Sequence, residues 1–580
     1  MTEHRDSAPV RIANCSGFYG DRMSAAREMV EDGPIDVLTG DWLAELTMLI
    51  LFKDRFKNPD GGFAKTFVRQ MEQVMGTCLE RGIKVVANAG GLNPRGCAAA
   101  VETVAAALGL NPRIGYVTGD DVLPRLSELG DLANLDTGEA LGDRTVLTAN
   151  AYLGGWGIVD ALDRGADIVI TGRTTDAAIV MAPAAHHHGW KRDDWDALAG
   201  ALVAGHVIEC GTQATGGNYA FFTEVPNLIH PGFPIAEIAA DGSSVITKHD
   251  AHAGAVTVGT VTAQLLYEIG SPTYLNPDVS ARFDSICLTQ EAKDRVRISG
   301  VLGEAPPRTA KVCLNLAGAT KATYSFLLVG LDIEKKADLL VDGLFAALPG
   351  GRDYFESVEI DLVRSDQEDP TRNETAIAQL RISLKDADAD KFGRRLSGAI
   401  TELALASYPG FFGGPSSSQA YGVYWPALMD AALLSHEVTV GDEVVQVAPT
   451  LVDPTTAAVP PYSVAKAPTG PTRRAPLGLV AGARSGDKGG NANLGVWVRT
   501  DEEYAWLDEL LTVEKLKELM PEAGPVDRYA LPNLRSLNFV LHGLLGEGVA
   551  SSTRLDPQAK SLGEYLRAKH VEVPEAFLAL

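Results

Sequence analysis

The sequence predicts an α/β protein. A mainly parallel sheet with helices on both faces is expected in the N-terminal half. A central α+β domain follows, then a small C-terminal α/β module behind a proline-rich linker. Three observations lead there. Short apolar, β-branched runs alternate with helical patterns up to about residue 180. The order then changes to strand, strand, helix, strand, strand, helix over 309–408. Last, seven prolines fall between Pro449 and Pro476.

The first pattern comprises six runs: 10–15 (VRIANC), 35–39 (IDVLT), 83–88 (IKVVAN), 114–118 (IGYVT), 145–149 (TVLTA) and 167–171 (DIVIT). Helical patterns over 24–32, 64–81, 96–109 and 156–164 lie between them. Short strands apolar on both faces, with helices between, are the mark of a parallel sheet covered on both sides. In the middle, KVCLNLAG, ATYSFLLVGL, ESVEIDLV and ETAIAQLRISL read as antiparallel strands, with helices at 334–347 and 390–407. The proline cluster stiffens the chain and prevents regular structure. The expected divisions are 1–270, 271–445, a linker at 446–476, and 477–580. Met1–Pro9 is expected to be loose, and 409–422 (PGFFGGPSSSQAYG) to form a mobile covering loop.

The chain carries 75 acids against 51 bases, a formal charge of −24, which argues against nucleic acid and anionic membrane as partners. Its six cysteines are far apart and lack any C-x-x-C pair, as in reduced cytosolic thiols. No signal-peptide pattern or 18-residue apolar run is present. A cytoplasmic protein is expected, and its size suits a homo-oligomer.

In a parallel sheet all strand carboxyl ends share one edge, where ligands bind. The segments following the strands are rich in acids, amides and glycines: Ser16–Arg22, Gly40-Asp41-Trp42, Asn88-Ala89-Gly90-Gly91, Gly119-Asp120-Asp121, Asn150–Gly155 and Thr171-Gly172-Arg173-Thr174-Thr175-Asp176. Caps and turns favour the same residue types. Arg173, Asp41 and the Gly90-Gly91 pair exceed what capping needs. Gly90-Gly91 permits close backbone approach, with N–H groups at a helix start that suit an anion. G-x-G-x-x-G after the first strand and G-x-x-x-x-G-K-[ST] are both missing, so no nucleotide motif is present.

Three further stretches stand out. HVIECGTQATGGNYAFF (206–222) offers Glu209 as a carboxylate and Cys210 as a thiol, against the ordinary alternative of an inert buried cysteine. In KHDAHAG (248–254), His249, Asp250 and His252 alternate, and the two unequally placed histidines lack a third metal ligand, so no metal is expected. In LVAGARSGDKGGNANLGVWV (479–498), Arg484, Lys488 and Asn491 stand among glycines. A loop there would suit a phosphate or carboxylate; a hairpin connection is the alternative.

RIANCSGFYGDR (11–22), DVLTGDWLAE (36–45), VVANAGGLNP (85–94), GADIVITGRTTD (165–176) and ECGTQATGGN (209–218) together resemble the acyclic terpene utilisation family, AtuA. ARSGDKGGNANLG behind the proline-rich linker resembles the C-terminal module that often follows it. The resemblance spans nearly the whole chain. It implies bacterial catabolism of terpenoids or related branched acids, in the company of acyl-CoA enzymes. It carries over no residue by role.

Residue chemistry supplies the candidates. The leading expectation is an enzyme acting on a branched or terpenoid acyl-CoA, or its free acid, by hydration/dehydration or a related lyase or hydrolytic step. Such chemistry needs a carboxylate to move a proton and donors to hold an oxyanion. Asp41, Asp120, Asp176 and Glu209 are the candidate acid/base groups. Arg173, Asn88, Gly90 and Gly91 are candidate oxyanion or carboxylate donors. Arg484 and Lys488, with Asn491 beside them, are placed to receive a CoA phosphate or the substrate carboxylate. Coenzyme A enters only as part of a substrate. The alternatives are a non-catalytic scaffold or activator of an acyl-CoA carboxylase, and a phosphate-chemistry enzyme.

Overall fold

The computed structural model describes residues 8–413, 416–463 and 465–578. Most of the N-terminal stretch expected to be loose, and the middle of the 409–422 segment expected to form a mobile loop, therefore lie outside the described residues. The chain divides into two compact units. One joins Met1–Asn315, Tyr424–Val549 and Gln558–Leu580; the other joins Leu316–Val423 and Ala550–Pro557.

The larger unit is built on strands β1 (Val10–Asn14), β2 (Val37–Gly40), β3 (Lys84–Ala87), β4 (Ile114–Thr118), β5 (Val146–Ala151) and β6 (Ile168–Thr171). Five of them form a parallel core in the order β1-β2-β3-β6-β4. Every residue of β2 and β6 is buried, which explains their unbroken apolar runs. Helices α1 (Ala25–Glu31), α2 (Glu45–Lys57), α3 (Lys65–Arg81), α4 (Pro94–Leu108), α5 (Trp156–Asp163), α6 (Ala178–His188) and α7 (Trp195–Ile208) connect and follow these strands. Phe67, Met71 and Val74 of α3 and Cys97, Ala98 and Val101 of α4 pack with Leu38, Val85, Ala87 and Ile170 of the sheet. Helix α6 contacts β1, β2 and β3, and α7 packs against α6.

The fifth run departs from the expectation of six parallel strands. β5 lies outside the sheet and pairs with the strand that begins at Thr309. Its sequence explains why. Thr148 and Asn150 put polar groups into this buried run, and both are satisfied in its place beside that strand: Thr148 accepts the Asn315 amide at 3.0 Å, and Asn150 donates to Asp120 at 2.8 Å. The sheet is instead extended by antiparallel strands. On one side stand β7 (Pro234–Ile238), β8 (Ser244–Lys248), Arg295–Ser299 and Cys287–Ala292; on the other stand His436–Val440 and Glu443–Val447.

The C-terminal module in this unit is a four-stranded antiparallel sheet in the order Gly482–Lys488, Asn491–Trp497, Ser536–Leu541, Val526–Leu531. The glycine-rich stretch is thus a hairpin. Lys488 pairs with Asn491 across a turn at Gly489-Gly490, with Gly489 at φ +65. Arg484 and Asp487 are strand residues.

The smaller unit is α+β as expected, except that the two expected strands KVCLNLAG and ATYSFLLVGL are one continuous strand, Thr309–Val329, of which this unit holds the part from Leu316. Ser357–Val363, Ile377–Asp386 and the long strand running to Val329 pair antiparallel. Helices Ile333–Ala346 and Arg394–Ala406 bury Leu340, Leu344, Leu396 and Leu403 in the same core.

Because β6 is inserted between β3 and β4, the loops following these three strands stand side by side. Gly90 meets the loop after β6 closely: its N–H donates to the Thr171 carbonyl at 3.0 Å, and a Cβ there would lie 2.6 Å from that oxygen. Gly90→Ala should therefore destabilise the chain by about 1–3 kcal/mol through overpacking. Chemical denaturation followed by tryptophan fluorescence checks this.

Candidate active site

The loops after β2, β3, β4 and β6 form one network. Asp41 follows β2 and is buried; its amide N–H donates to the Ser16 carbonyl at 2.9 Å. Its carboxyl accepts from the Leu43 N–H at 2.9 Å and from the Asn88 amide. Asn88 accepts the Trp42 N–H at 2.8 Å. Arg173, only 2% exposed, donates to the Leu43 carbonyl and to Asp176, each at 2.9 Å. Its guanidinium lies 4.4 Å from the Tyr152 ring centre, a cation–π contact. Asp120 accepts the Arg173 backbone N–H and the Asn150 amide, each at 2.8 Å.

Glu209 joins from the end of α7. The Asn14 amide, at the tip of β1, donates to the Glu209 carbonyl at 3.1 Å. The carboxyl is buried, and among the described residues its Oε2 has no hydrogen-bond partner. His206 stands one turn earlier, with Nδ1 3.4 Å from Glu209 Oε1. Burial holds this imidazole neutral, with its pKa down at about 4. Glu209 is pushed well above the usual carboxyl range by burial, then by the charges of Asp176 and Glu268; Arg173 opposes this only in part. Burial and the Asp176 charge raise Asp41 in the same way, against Arg173 and the Asn88 hydrogen bond. Two carboxyls that hold their protons thus flank the Arg173–Asp176 ion pair.

The C-terminal module adds the next layer. Arg484, 6% exposed, lies with its guanidinium 4.3 Å from the Tyr267 ring centre and donates to Gln213. Lys560 touches the Tyr267 hydroxyl and stands 3.3 Å from Asp487 and 3.4 Å from Glu268. Cys210 borders both layers: burial raises its thiol most, then the charges of Glu209, Glu268 and Asp41, while Lys560 opposes. That thiol stays protonated, which suits neither a nucleophile nor a metal ligand. Among the described residues, no group of three or more His, Cys, Asp or Glu could hold a metal ion.

Several sequence candidates take other places. The Gly90 and Gly91 N–H groups donate to the Thr171 and Asn88 carbonyls at 3.0 and 3.3 Å, so they do not face a ligand as anion donors. Asn88 braces Asp41. Asp120 braces the Arg173 backbone, with both of its contacts inside the seam. Lys488 donates to the Glu268 carbonyl at 3.2 Å. Asn491 bonds Asp136 at 2.8 Å and accepts the Gly543 N–H, securing the hairpin turn in place of a cofactor. His206, Tyr267, Glu268, Tyr274 and Lys560 were not singled out in the sequence. Only His206 had a signal there, the i,i+3 spacing to Glu209 on a helix.

Burial holds the Asp120 pKa up at about 6, against its hydrogen bonds from Arg173 and Asn150. The folded chain then keeps this proton to a higher pH than the unfolded chain does. The stabilisation it provides is complete below about pH 4 and is lost as pH rises through about 6. Asp120→Asn should flatten that part of the stability curve relative to wild type, by about 2–3 kcal/mol at most. Denaturant titrations across pH 4–7 on both proteins check it.

Comparison with known families returned two matches: the acyclic terpene utilisation family protein AtuA over residues 10–440, and the AtuA ferredoxin-like domain over residues 475–572. No curated protein and no solved structure matched.

Proposed function

The chain belongs to the acyclic terpene utilisation family, and from that premise we propose that it is a catabolic enzyme of acyclic terpenoids or branched-chain acids. Its substrate is an acyl-CoA thioester or the free acid, and its chemistry is hydration or dehydration, or a related lyase or hydrolytic step. The observation that carries this reading is Glu209: a buried carboxyl with an unpartnered oxygen, set against the Asp176 and Glu268 charges.

Adding or removing water next to a carbonyl requires a proton to be delivered and another taken away. A carboxyl of raised proton affinity can do both near neutral pH. Glu209 is the acid/base in this reading, and Asp41 is a second protonated carboxyl. Arg173 is already bound to Asp176 and Leu43, so it serves as their fixed countercharge and not as an oxyanion donor. The acyl carbonyl would lie between Glu209 and the layer of Arg484 and Lys560, with any CoA outside it. All six cysteines are free thiols, and no helix among the described residues is long and apolar enough to cross a membrane; both suit a cytoplasmic enzyme.

Incubation with a panel of branched 2-enoyl-CoA and 3-hydroxyacyl-CoA esters, followed by mass spectrometry for the gain or loss of water, tests the reading. Glu209→Gln should lower turnover by about 10²-fold or more with an unchanged melting temperature, and Asp176→Asn by a similar factor. A panel left unconverted by the wild type, or an unaffected Glu209→Gln enzyme, would remove the reading.

A further inference from the structure

One face of the sheet in the smaller unit supplies its core with Leu380, Ile382 and Leu384. The other face is polar and carries the buried Arg381 and Ser383. Cross-strand register sorts that polar face into rows. Asp361, Arg381 and Ser325 share one row, where Asp361 stands 3.8 Å from the Arg381 guanidinium. Glu359, Ser383 and Thr323 share the next. There the Ser383 and Thr323 hydroxyls are 2.9 Å apart, and Glu359 accepts the Thr553 hydroxyl. The last row is Ser357, Lys385 and Lys321: two cations directly opposed, with a serine where the other rows carry an acid. Like charges opposed across two strands repel and cost stability.

Neither ammonium is paired with an acid among the described residues. Lys321 Nζ donates to the Ser552 carbonyl at 2.8 Å and lies 5.9 Å from the Tyr421 ring centre. Lys385 Nζ lies 5.5 Å from the same ring, its one polar contact among the described residues. Gly318 makes room for that ring: a Cβ there would lie 2.8 Å from Tyr421 Cδ2 and Cε2. The ring attracts both cations but neutralises neither. Burial, then the Lys385 charge, brings the Lys321 pKa down to about 8. We propose that Lys321 and Lys385 form an anion site for a phosphate dianion, either inorganic phosphate or a phosphate monoester, held beside the Tyr421 ring. A dianion matches two cations, where a carboxylate would match one. Lysines bind phosphate as point charges and need no forked geometry. Every residue of this site belongs to the smaller unit, and the proposal is independent of the Glu209 reading.

Competitive acetylation of the full-length protein, read residue by residue with mass spectrometry, tests this without a substrate. Only the uncharged amine reacts. At pH 7 inorganic phosphate should slow labelling of Lys321 by about tenfold, the effect of a one-unit rise in its pKa beside an anion. Potassium chloride at the same ionic strength should not. Coenzyme A and 3′-dephospho-coenzyme A separate the two sources. Protection by coenzyme A and none by the dephospho form assigns the site to a phosphate monoester. Protection by inorganic phosphate and none by either coenzyme assigns it to free phosphate. Lys385→Gln should abolish the protection of Lys321. Lys321→Gln, read at Lys385, gives the same comparison if Lys385→Gln fails to fold. Labelling that neither phosphate nor coenzyme A slows overturns the proposal. So does equal slowing by chloride, equal protection by the two coenzymes, or protection that survives in the variant.

Discussion

The site depends on where Arg173 is pinned. Its backbone N–H is held by Asp120, its guanidinium by the Leu43 carbonyl and Asp176, and the Tyr152 ring lies against it. A buried guanidinium is tolerated only when its donors are engaged. Here the partners come from the loops after β2, β4 and β6, so one residue, through its backbone and its side chain, ties three separate connections together. Releasing it would disturb the geometry of all three.

The charge pattern follows from that constraint. Asp176 is the partner of Arg173, while Asp487 and Glu268 stand by Lys560. Asp41 and Glu209 are left without a dedicated countercharge in the same dry region, and protonation is the response available to them. Cys210 is held as an unreactive thiol first by its burial and then by the neighbouring acids.

Two stretches that match separate family profiles meet at this cluster. The module contributes Arg484, Asp487, Lys488 and Lys560, and its sheet interior presents Asn493 and Asn538 to the turn carrying Glu268. Asparagines at 0% exposure inside an apolar sheet would be a liability if the module stood alone. Their bonds to the 268–270 main chain give them a purpose that the module by itself does not provide.

The α/β class, the parallel runs and their polar tails were legible in the sequence, because hydrophobic periodicity and strand burial are local properties. Asp41 and Arg173 stood out as exceeding what capping needs, and Asp176 and Glu209 as candidate acid/base groups. The fate of β5 was also written locally, in the polar Thr148 and Asn150 of its buried run, although as one of six similar runs it read as a parallel strand. Gly90-Gly91 and the hairpin around Gly489 looked like anion cradles because glycine serves tight packing and tight turns equally well. Tertiary structure alone decided between those uses, and it alone brought Glu268, Tyr267 and Lys560 together. The physical reason is that hydrogen-bond partners and the field of neighbouring charges are set by residues hundreds of positions apart, and neither periodicity nor spacing carries that information.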